Sequence, residues 1–325
     1  MESLRKLPTV LQADELVDKI FRRSSKIRGG DLKERIINKL ATISNVSRDY
    51  FEKIISSHPN YDTLPTFYRE LVDLIVGIEN LKKALSSLKW ANEMIQRIVT
   101  KSIKEIRKGK NPLEVYRSAC GRISSVIEDI DNELRFLNEA KQKMREIPTL
   151  RDMPTVVVAG CPNVGKSSFV ARVSTAKPEI ADYPFTTQKI IIGYTPEIQI
   201  IDTPGLLDRP LARRSKIERK AILCLKNAAD AILFIIDPTE TCGYPMSSQL
   251  SLLEEIKKTF GKPTLEVYSK ADLHSFRDRI AFSAKNGEGV KEVLEEITKI
   301  AKKVYSQTST FIADSGQTST QEQHS

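Results

Sequence analysis

Residues Gly160-Cys161-Pro162-Asn163-Val164-Gly165-Lys166-Ser167 match G-x-x-x-x-G-K-[ST] in full, and no other feature restricts the fold of this chain so severely. The match has meaning only with a strand before it and a helix after it. Both are present: Thr155–Ala159 is a short apolar run rich in β-branched residues, and Ser167–Ser174 has helical spacing. In that setting the glycines let the backbone wrap closely around an anion, and successive amides and the positive helix end point inward. Lys166 supplies a point charge between terminal phosphates, and the Ser167 hydroxyl is placed for Mg²⁺. Cys161, Pro162, Asn163, Val164, Gly165 and Ser168 complete the cradle. The alternative, a tight glycine turn with no ligand, does not explain the flanking elements.

Short apolar runs separated by Gly, Pro and Asp continue after Pro148. Ile190–Tyr194, Ile198–Asp202, Ala231–Asp237, Thr264–Tyr268 and Ile280–Ser283 read as further strands. Helical patterns at Arg214–Asn227, Ser247–Phe260 and Val290–Val304 lie between or after them. The order predicts an α/β fold, a doubly wound and mostly parallel sheet covered on both faces. Upstream, residues 13 to 146 repeat apolar positions at three- and four-residue intervals, which predicts an all-α helical bundle. One helix of about nine turns is expected after the Asn111-Pro112 start, carrying Ile123, Val126, Ile127, Ile130, Leu134 and Leu137. Pro59 and Pro65 mark a joint, and Trp90, at helical spacing, is expected in the core. The resulting plan is a basic helical bundle over 1–150, a nucleotide domain over 151–305 and a polar, disordered tail over 306–325.

A chain of 325 residues is long enough for two such domains. Its longest apolar stretch, Ala231–Ile236, is far too short to span a membrane, and the N-terminus has no signal-peptide core, so a cytoplasmic monomer with no membrane partner is expected. Cys120, Cys161, Cys224 and Cys242 are scattered without zinc-ligand spacing, which leaves buried free thiols. The net charge of +9 is uneven: residues 1–150 hold 28 Lys+Arg against 21 Asp+Glu, or +7. An anionic partner such as RNA would meet that half.

Two further motifs bear on the nucleotide. Asp202-Thr203-Pro204-Gly205 ends a strand, where the carboxylate can reach Mg²⁺ through water and the Gly205 amide can reach a terminal phosphate. Ser269-Lys270-Ala271-Asp272 ends another and resembles the N-K-x-D motif of GTPases. Asp272 would accept from the ring N–H and exocyclic amine of guanine, a donor pair that adenine does not present. Ser269 stands where Asn is usual and offers one hydroxyl in place of an amide. Ser283-Ala284-Lys285 resembles the S-A-K motif, whose alanine amide reaches the guanine carbonyl. A loop lysine or a helix N-cap would be the plain reading of each short match.

Taken with their order, G-x-P-N-V-G-K-S-S and Tyr183-Pro184-Phe185-Thr186-Thr187 resemble the Obg-related GTPases. Asp202-Thr203-Pro204-Gly205-Leu206-Leu207-Asp208-Arg209-Pro210, continued by Arg213, Arg214, Ile217, Glu218, Ala221 and Ile222, resembles the nucleolar GTP-binding Nog family in a compact archaeal-type form. That resemblance implies a GTP-binding, GTP-hydrolysing switch acting in assembly of the large ribosomal subunit. Precursor ribosomal RNA and large-subunit proteins would be its partners, and GTP or GDP, Mg²⁺ and K⁺ its cofactors. Lys166, Thr187 and Gly205 would be catalytic; Ser167, Asp202 and Thr187, with Thr186 second, would hold Mg²⁺; and Asn163 would hold K⁺, unless it only stabilises its turn. Leu206 stands where many GTPases carry a water-orienting Gln, so intrinsic turnover should be slow.

The basic groups upstream are Arg22, Arg23, Lys26 and Arg28, then Lys101, Lys104, Arg107, Lys108 and Lys110. The second group could contact RNA phosphate or could simply be a solvated helix end favoured by the helix dipole. Two other functions stay open: a GTPase of translation or tRNA, and a non-catalytic, nucleotide-dependent binding module in which Leu206 marks lost hydrolysis.

Overall fold

In the computed structural model of the chain, backbone is described for residues 2–184, 189–210, 214–276 and 278–317. The chain divides into two compact units, one of residues 1–64 and 72–145, the other of residues 65–71 and 146–325.

The first unit is helical throughout. It comprises α1 (Glu2–Arg5), α2 (Ala13–Ser25), α3 (Leu32–Ser57), the end of α4 (Thr66–Val76), α5 (Ile78–Arg107), α6 (Pro112–Glu128) and α7 (Asp131–Met144). Local chemistry sets several starts: Asp31 caps α3 by accepting from the Glu34 amide, and Asn111 caps α6 with Pro112 in its first turn. Gly77, at φ +79°, separates α4 from α5. The 30-residue α5 is about 45 Å long and buries Leu81, Ala84, Leu88, Ala91, Ile95 and Ile98 along one stripe.

Two expectations are corrected in this unit. The single helix expected after Pro112 is two, because Asp129 and Ile130 form a turn and Asp131 is put to other use. Its carboxylate accepts from the Ala13 amide at 2.9 Å and from Arg135 at 2.6 Å, which ties the start of α7 to the start of α2. Trp90 is 45% exposed, not core. It lies between the buried positions 88 and 91, about 200° and 100° round the helix from them, so the apolar stripe leaves it facing solvent.

The second unit is a six-stranded sheet in the order β2-β3-β4-β1-β5-β6. The strands are β1 (Thr155–Ala159), β2 (Glu179–Asp182), β3 (Lys189–Tyr194), β4 (Gln199–Asp202), β5 (Ala231–Ile236) and β6 (Thr264–Tyr268). β1 runs parallel to both β4 and β5, β5 runs parallel to β6, and β2 and β3 are antiparallel additions at one edge. Every residue of β1 and β5 is buried, as parallel strands covered on both faces require. The helices are α8 (Lys166–Val173), α9 (Lys216–Ala228), α10 (Met246–Phe260) and α11 (Val290–Gln317). α9 starts two residues later than expected because Ser215 and Glu218 form a capping box.

Residues 65–71 belong here through Tyr68, whose hydroxyl accepts from the Leu150 amide at 2.6 Å, and Glu70, which accepts from Asn227 at 2.6 Å. The run Ile280–Ser283 forms only a single parallel bridge, Tyr268 to Ala281, instead of a strand. α11 runs past Val304 into the segment expected to be disordered; no proline or glycine stands between Val290 and Ser315 to stop it. No described helix is long and apolar enough to cross a membrane.

Candidate functional site

The parallel strands deliver their C-terminal ends to one edge of the sheet, where ligands of open α/β folds bind. The register aligns Val158 with Asp202, Ala159 with Phe234 and Ile236 with Tyr268. The segments 160–167, 202–205, 237–242 and 269–272 therefore emerge side by side.

The loop after β1 holds three consecutive demands on its backbone. Gly160 has φ +139°, and a Cβ there would lie 2.4 Å from the Ile235 carbonyl oxygen, so no other residue fits. Asn163 (φ +60°) and Gly165 (φ +100°) are left-handed, which bends the loop back to open α8 at Lys166. Lys166 is only 6% exposed, and its ammonium donates to the carbonyls of Gly160 and Cys161 at 2.8 Å each. Burial pulls its pKa down, while Asp202 and Asp208 push it up. A buried cation hydrogen-bonded to neutral carbonyls at the head of a helix is a site for an anion.

Ser167 donates its hydroxyl to Asp202 Oδ2, and Asp202 Oδ1, wholly buried, has no hydrogen-bond partner. Burial pushes the Asp202 carboxyl above its usual range, against the pull of Ser167 and Lys166. Such an orphaned carboxylate oxygen with a hydroxyl beside it suits a hard divalent cation with oxygen ligands, and Mg²⁺ fits. Thr203 is buried and bonds the Val158 carbonyl, which locks the turn to β1, and Gly205 sits at φ +73°. Leu206 and Leu207 are fully buried. Thr187 and Thr186, with Phe185, lie outside the described residues.

At the base end, Ser269 is buried and its hydroxyl turns back to the Ile236 carbonyl at 3.2 Å. Lys270, left-handed at φ +59°, reaches Asp237 at 2.6 Å and the Thr241 hydroxyl at 2.7 Å. Asp272 is exposed, and hydrogen bonding from the Ser283 side chain lowers its pKa. The Ala271 N–H joins the two base motifs, donating to the Phe282 carbonyl at 3.1 Å. Arg172 of α8 donates to the Ala284 carbonyl at 3.1 Å, and Phe169 stacks edge-on against Phe282 at 5.1 Å, so the phosphate helix supports the base loop. Lys285 is exposed beside it.

Asp237 was legible only as the end of a strand, yet it organises this region. It is fully buried and accepts from the amides of Thr239 and Cys242, the hydroxyls of Thr239 and Thr241, and Lys270. Burial raises its pKa, but Lys270 and these bonds outweigh it and the net shift is downward. The signal was an Asp-Pro step ending an all-apolar strand, the same placement as Asp202 on β4. Asp237→Ala would leave Lys270 without its carboxylate and two amides without their acceptor, and is expected to cost about 3 kcal/mol of unfolding free energy. Because the folded pKa is depressed, this stabilisation is present above the unfolded value near 3.8 and disappears as pH falls through the folded one. Chemical denaturation at pH 7 and pH 3 checks both points; equal losses at the two pH values would contradict the assignment.

The RNA candidates lie at the end of α5 and just beyond. Lys101, Lys104, Arg107, Lys108 and Lys110 are all exposed, and Lys110 is paired with Glu105 at 3.4 Å. All four cysteines are free thiols; Cys161, in the phosphate loop, is pushed up to about 11 by burial.

A phosphate loop at the head of α8, a carboxylate and hydroxyl for a cation, and an Asp-bearing base loop define a P-loop guanine-nucleotide-binding protein. Comparison with known proteins narrows this. A model of the NOG1 N-terminal helical domain matches residues 4–150, and one of nucleolar GTP-binding protein 1 matches residues 216–272. An uncharacterised protein of Methanocaldococcus jannaschii is 42% identical over 83% of this chain and 81% of its own length. Nucleolar GTP-binding protein 1 of Saccharomyces cerevisiae is 27% identical over 90% of this chain and 48% of its own. A crystal structure of a putative nucleolar GTP-binding protein 1 from Plasmodium falciparum, 29% identical, covers 54% of this chain and all of that one with a TM-score of 0.44. The chain belongs to the nucleolar GTP-binding protein 1 family, and spans less than half the length of the eukaryotic relatives it matches.

Proposed function

We propose that this protein is a Mg²⁺-dependent, GTP-hydrolysing switch that acts on RNA of the assembling large ribosomal subunit. The observation that carries the nucleotide half is the Ser167–Asp202 pair with Asp202 Oδ1 left over and Ser167 next in sequence to the buried Lys166. Bound there, Mg²⁺ would neutralise charge on the terminal phosphates. Lys166 and the loop amides hold the phosphates in line, the Gly205 amide responds to the last of them, and Asp272 selects guanine. Thr187 is proposed as the residue that closes on the cation in the GTP state. Hydrolysis by the isolated protein should be slow, since Leu206 is sealed in the core. If Asn163 holds K⁺ against the phosphates, replacing Na⁺ by K⁺ is expected to raise GTP turnover; a rate indifferent to the cation rules that role out.

The RNA half is supported by the first unit's charge and by α5. Lys83, Trp90, Arg97, Lys101, Lys104 and Lys108 are all exposed and fall within about 40° of one line along that helix, whose first turn carries Glu79 and on which Arg97 also pairs with Glu93 at 3.9 Å. Cations at that spacing track phosphates, and an exposed indole offers a face on which a base can stack. The family resemblance and the word "nucleolar" in the relatives' names fit ribosomal RNA as the partner. Replacing Lys101, Lys104, Arg107, Lys108 and Lys110 by Gln in the full chain is expected to reduce the salt slope of large-subunit RNA binding by roughly 3 to 4. An unchanged slope would make the cluster a solvated helix end. Sedimentation of cell extract separates the wider readings: migration with immature large subunits supports assembly, migration with mature ribosomes supports a role in translation, and migration with neither favours a binding module.

A further inference from the structure

Leu206 leaves the family of residues that usually orient the attacking water without a member at its usual place, and the turn that follows supplies another. Leu206 and Leu207 are both fully buried, and the Gly160 amide donates to the Leu207 carbonyl at 3.2 Å. That bond pins the chain against the first residue of the phosphate loop. Asp208, the next residue, is therefore the first polar side chain after Gly205 and stands beside the loop. Its charge raises the pKa of Lys166 and, after burial, that of Cys161.

Asp208 is also held in place from behind. Arg214 donates to Asp208 Oδ1 at 3.1 Å, with side chains only 1% and 13% exposed. Arg214 Nε is buried without a hydrogen-bond partner. Burial and Arg209 pull Arg214 below its ordinary value, and Asp208 opposes them. A guanidinium buried at that cost, with one donor unused and one carboxylate in hand, is hard to explain as a stabilising surface pair. It is well explained as a fixed brace for a carboxylate whose other oxygen must stay in register with something outside the fold.

We infer that Asp208 is the carboxylate that orients the attacking water for GTP hydrolysis, and that Arg214 is the positioning residue that aims it. The inference rests on the GTPase reading above. The water donates one hydrogen bond to Asp208 Oδ2, its oxygen forms a bond to the γ-phosphorus, and the bond from phosphorus to the β–γ bridging oxygen breaks. GDP leaves with that electron pair, and both of the water's protons end on the released phosphate, one still on the attacking oxygen and one passed to a phosphate oxygen. Arg214 contributes no atom to the exchange.

The test is single-turnover GTP hydrolysis and GDP affinity of the full chain, side by side. Asp208→Asn is expected to lose turnover by about 10²-fold with GDP affinity within about threefold, and Asp208→Glu to recover part of the rate. Arg214→Gln should lower kcat without raising KM, and Arg214→Lys should rescue a fraction of it. If Asp208→Asn destabilises the fold by stranding Arg214, the charge-free pair Asp208→Asn/Arg214→Met removes that problem, and the same loss of turnover is expected from it. Turnover unchanged in any of these folded variants overturns the inference, as does a loss confined to GDP affinity. Failure of the unmodified chain to hydrolyse GTP while binding it would instead sink the GTPase reading itself, and is seen before any variant is made.

Discussion

Lys166→Ala is expected to weaken both GDP and GTP binding by roughly a hundredfold or more, whether or not Mg²⁺ is present. In the unliganded loop its ammonium has only the carbonyls of Gly160 and Cys161, and it is nearly excluded from water. A phosphate replaces those neutral acceptors with charged ones, and charge-assisted hydrogen bonds at a buried site are worth about 1.5–3 kcal/mol each. Removing the ammonium forfeits that difference and leaves the phosphate charge uncompensated. Ser167→Ala provides the contrast. Its hydroxyl faces Asp202 and not the phosphate loop carbonyls, so its loss should appear with Mg²⁺ and shrink when the metal is chelated. Titration of a fluorescent GDP analogue with and without Mg²⁺ distinguishes the two, and identical losses for both variants under both conditions would contradict the roles assigned.

The second large effect is expected at the base. Asp272→Ala should lower GDP affinity by about a hundredfold while leaving ADP binding nearly where it was. The reason is geometric as well as chemical. Asp272 is exposed and Ser283 lowers its pKa, so its carboxylate is charged and open to two guanine donors. Adenine offers no such pair, and a site built around a polar partner rejects the ligand that lacks it. Ser269 does not share the work, since its hydroxyl is spent on the Ile236 carbonyl. Competition of GDP and ADP against the labelled nucleotide measures the change; a variant that still prefers GDP as strongly as the unmodified chain would locate selectivity elsewhere.

The phosphate site was legible because its motif is local: glycines, lysine and serine are contiguous, and strand and helix flank them in sequence as in space. The base loops were legible for the same reason, as strand ends with short polar signatures. What escaped was whatever depends on long-range pairing. Asp237 and Lys270 are 33 residues apart, and nothing in either segment announces their bond. The Asp208–Arg214 pair lies in a stretch read only as a family signature, since no periodicity marks a buried arginine. β2 is exposed and pairs only at the sheet's edge, and its charged, four-residue sequence gives little strand signal. In the bundle the apolar repeat gave the helices but not their break, because Ile130 continues the stripe while Asp129 and Asp131 end and restart the backbone. Trp90 was misplaced for a related reason: helical spacing fits both faces of a helix, and only the packed neighbours decide which one is buried.

Central to all of this is that Lys166, Ser167 and Asp202 form one phosphate-and-cation site and that Asp272 commits it to guanine. Equilibrium titration of the full chain with GDP, GTP, ADP and ATP in Mg²⁺ tests it most directly. The guanine nucleotides are expected to bind at least about 10³-fold more tightly than the adenine ones, as a site built on hydrogen bonds to one base allows. Equal affinity for GDP and ADP, or no binding of either, would contradict the account.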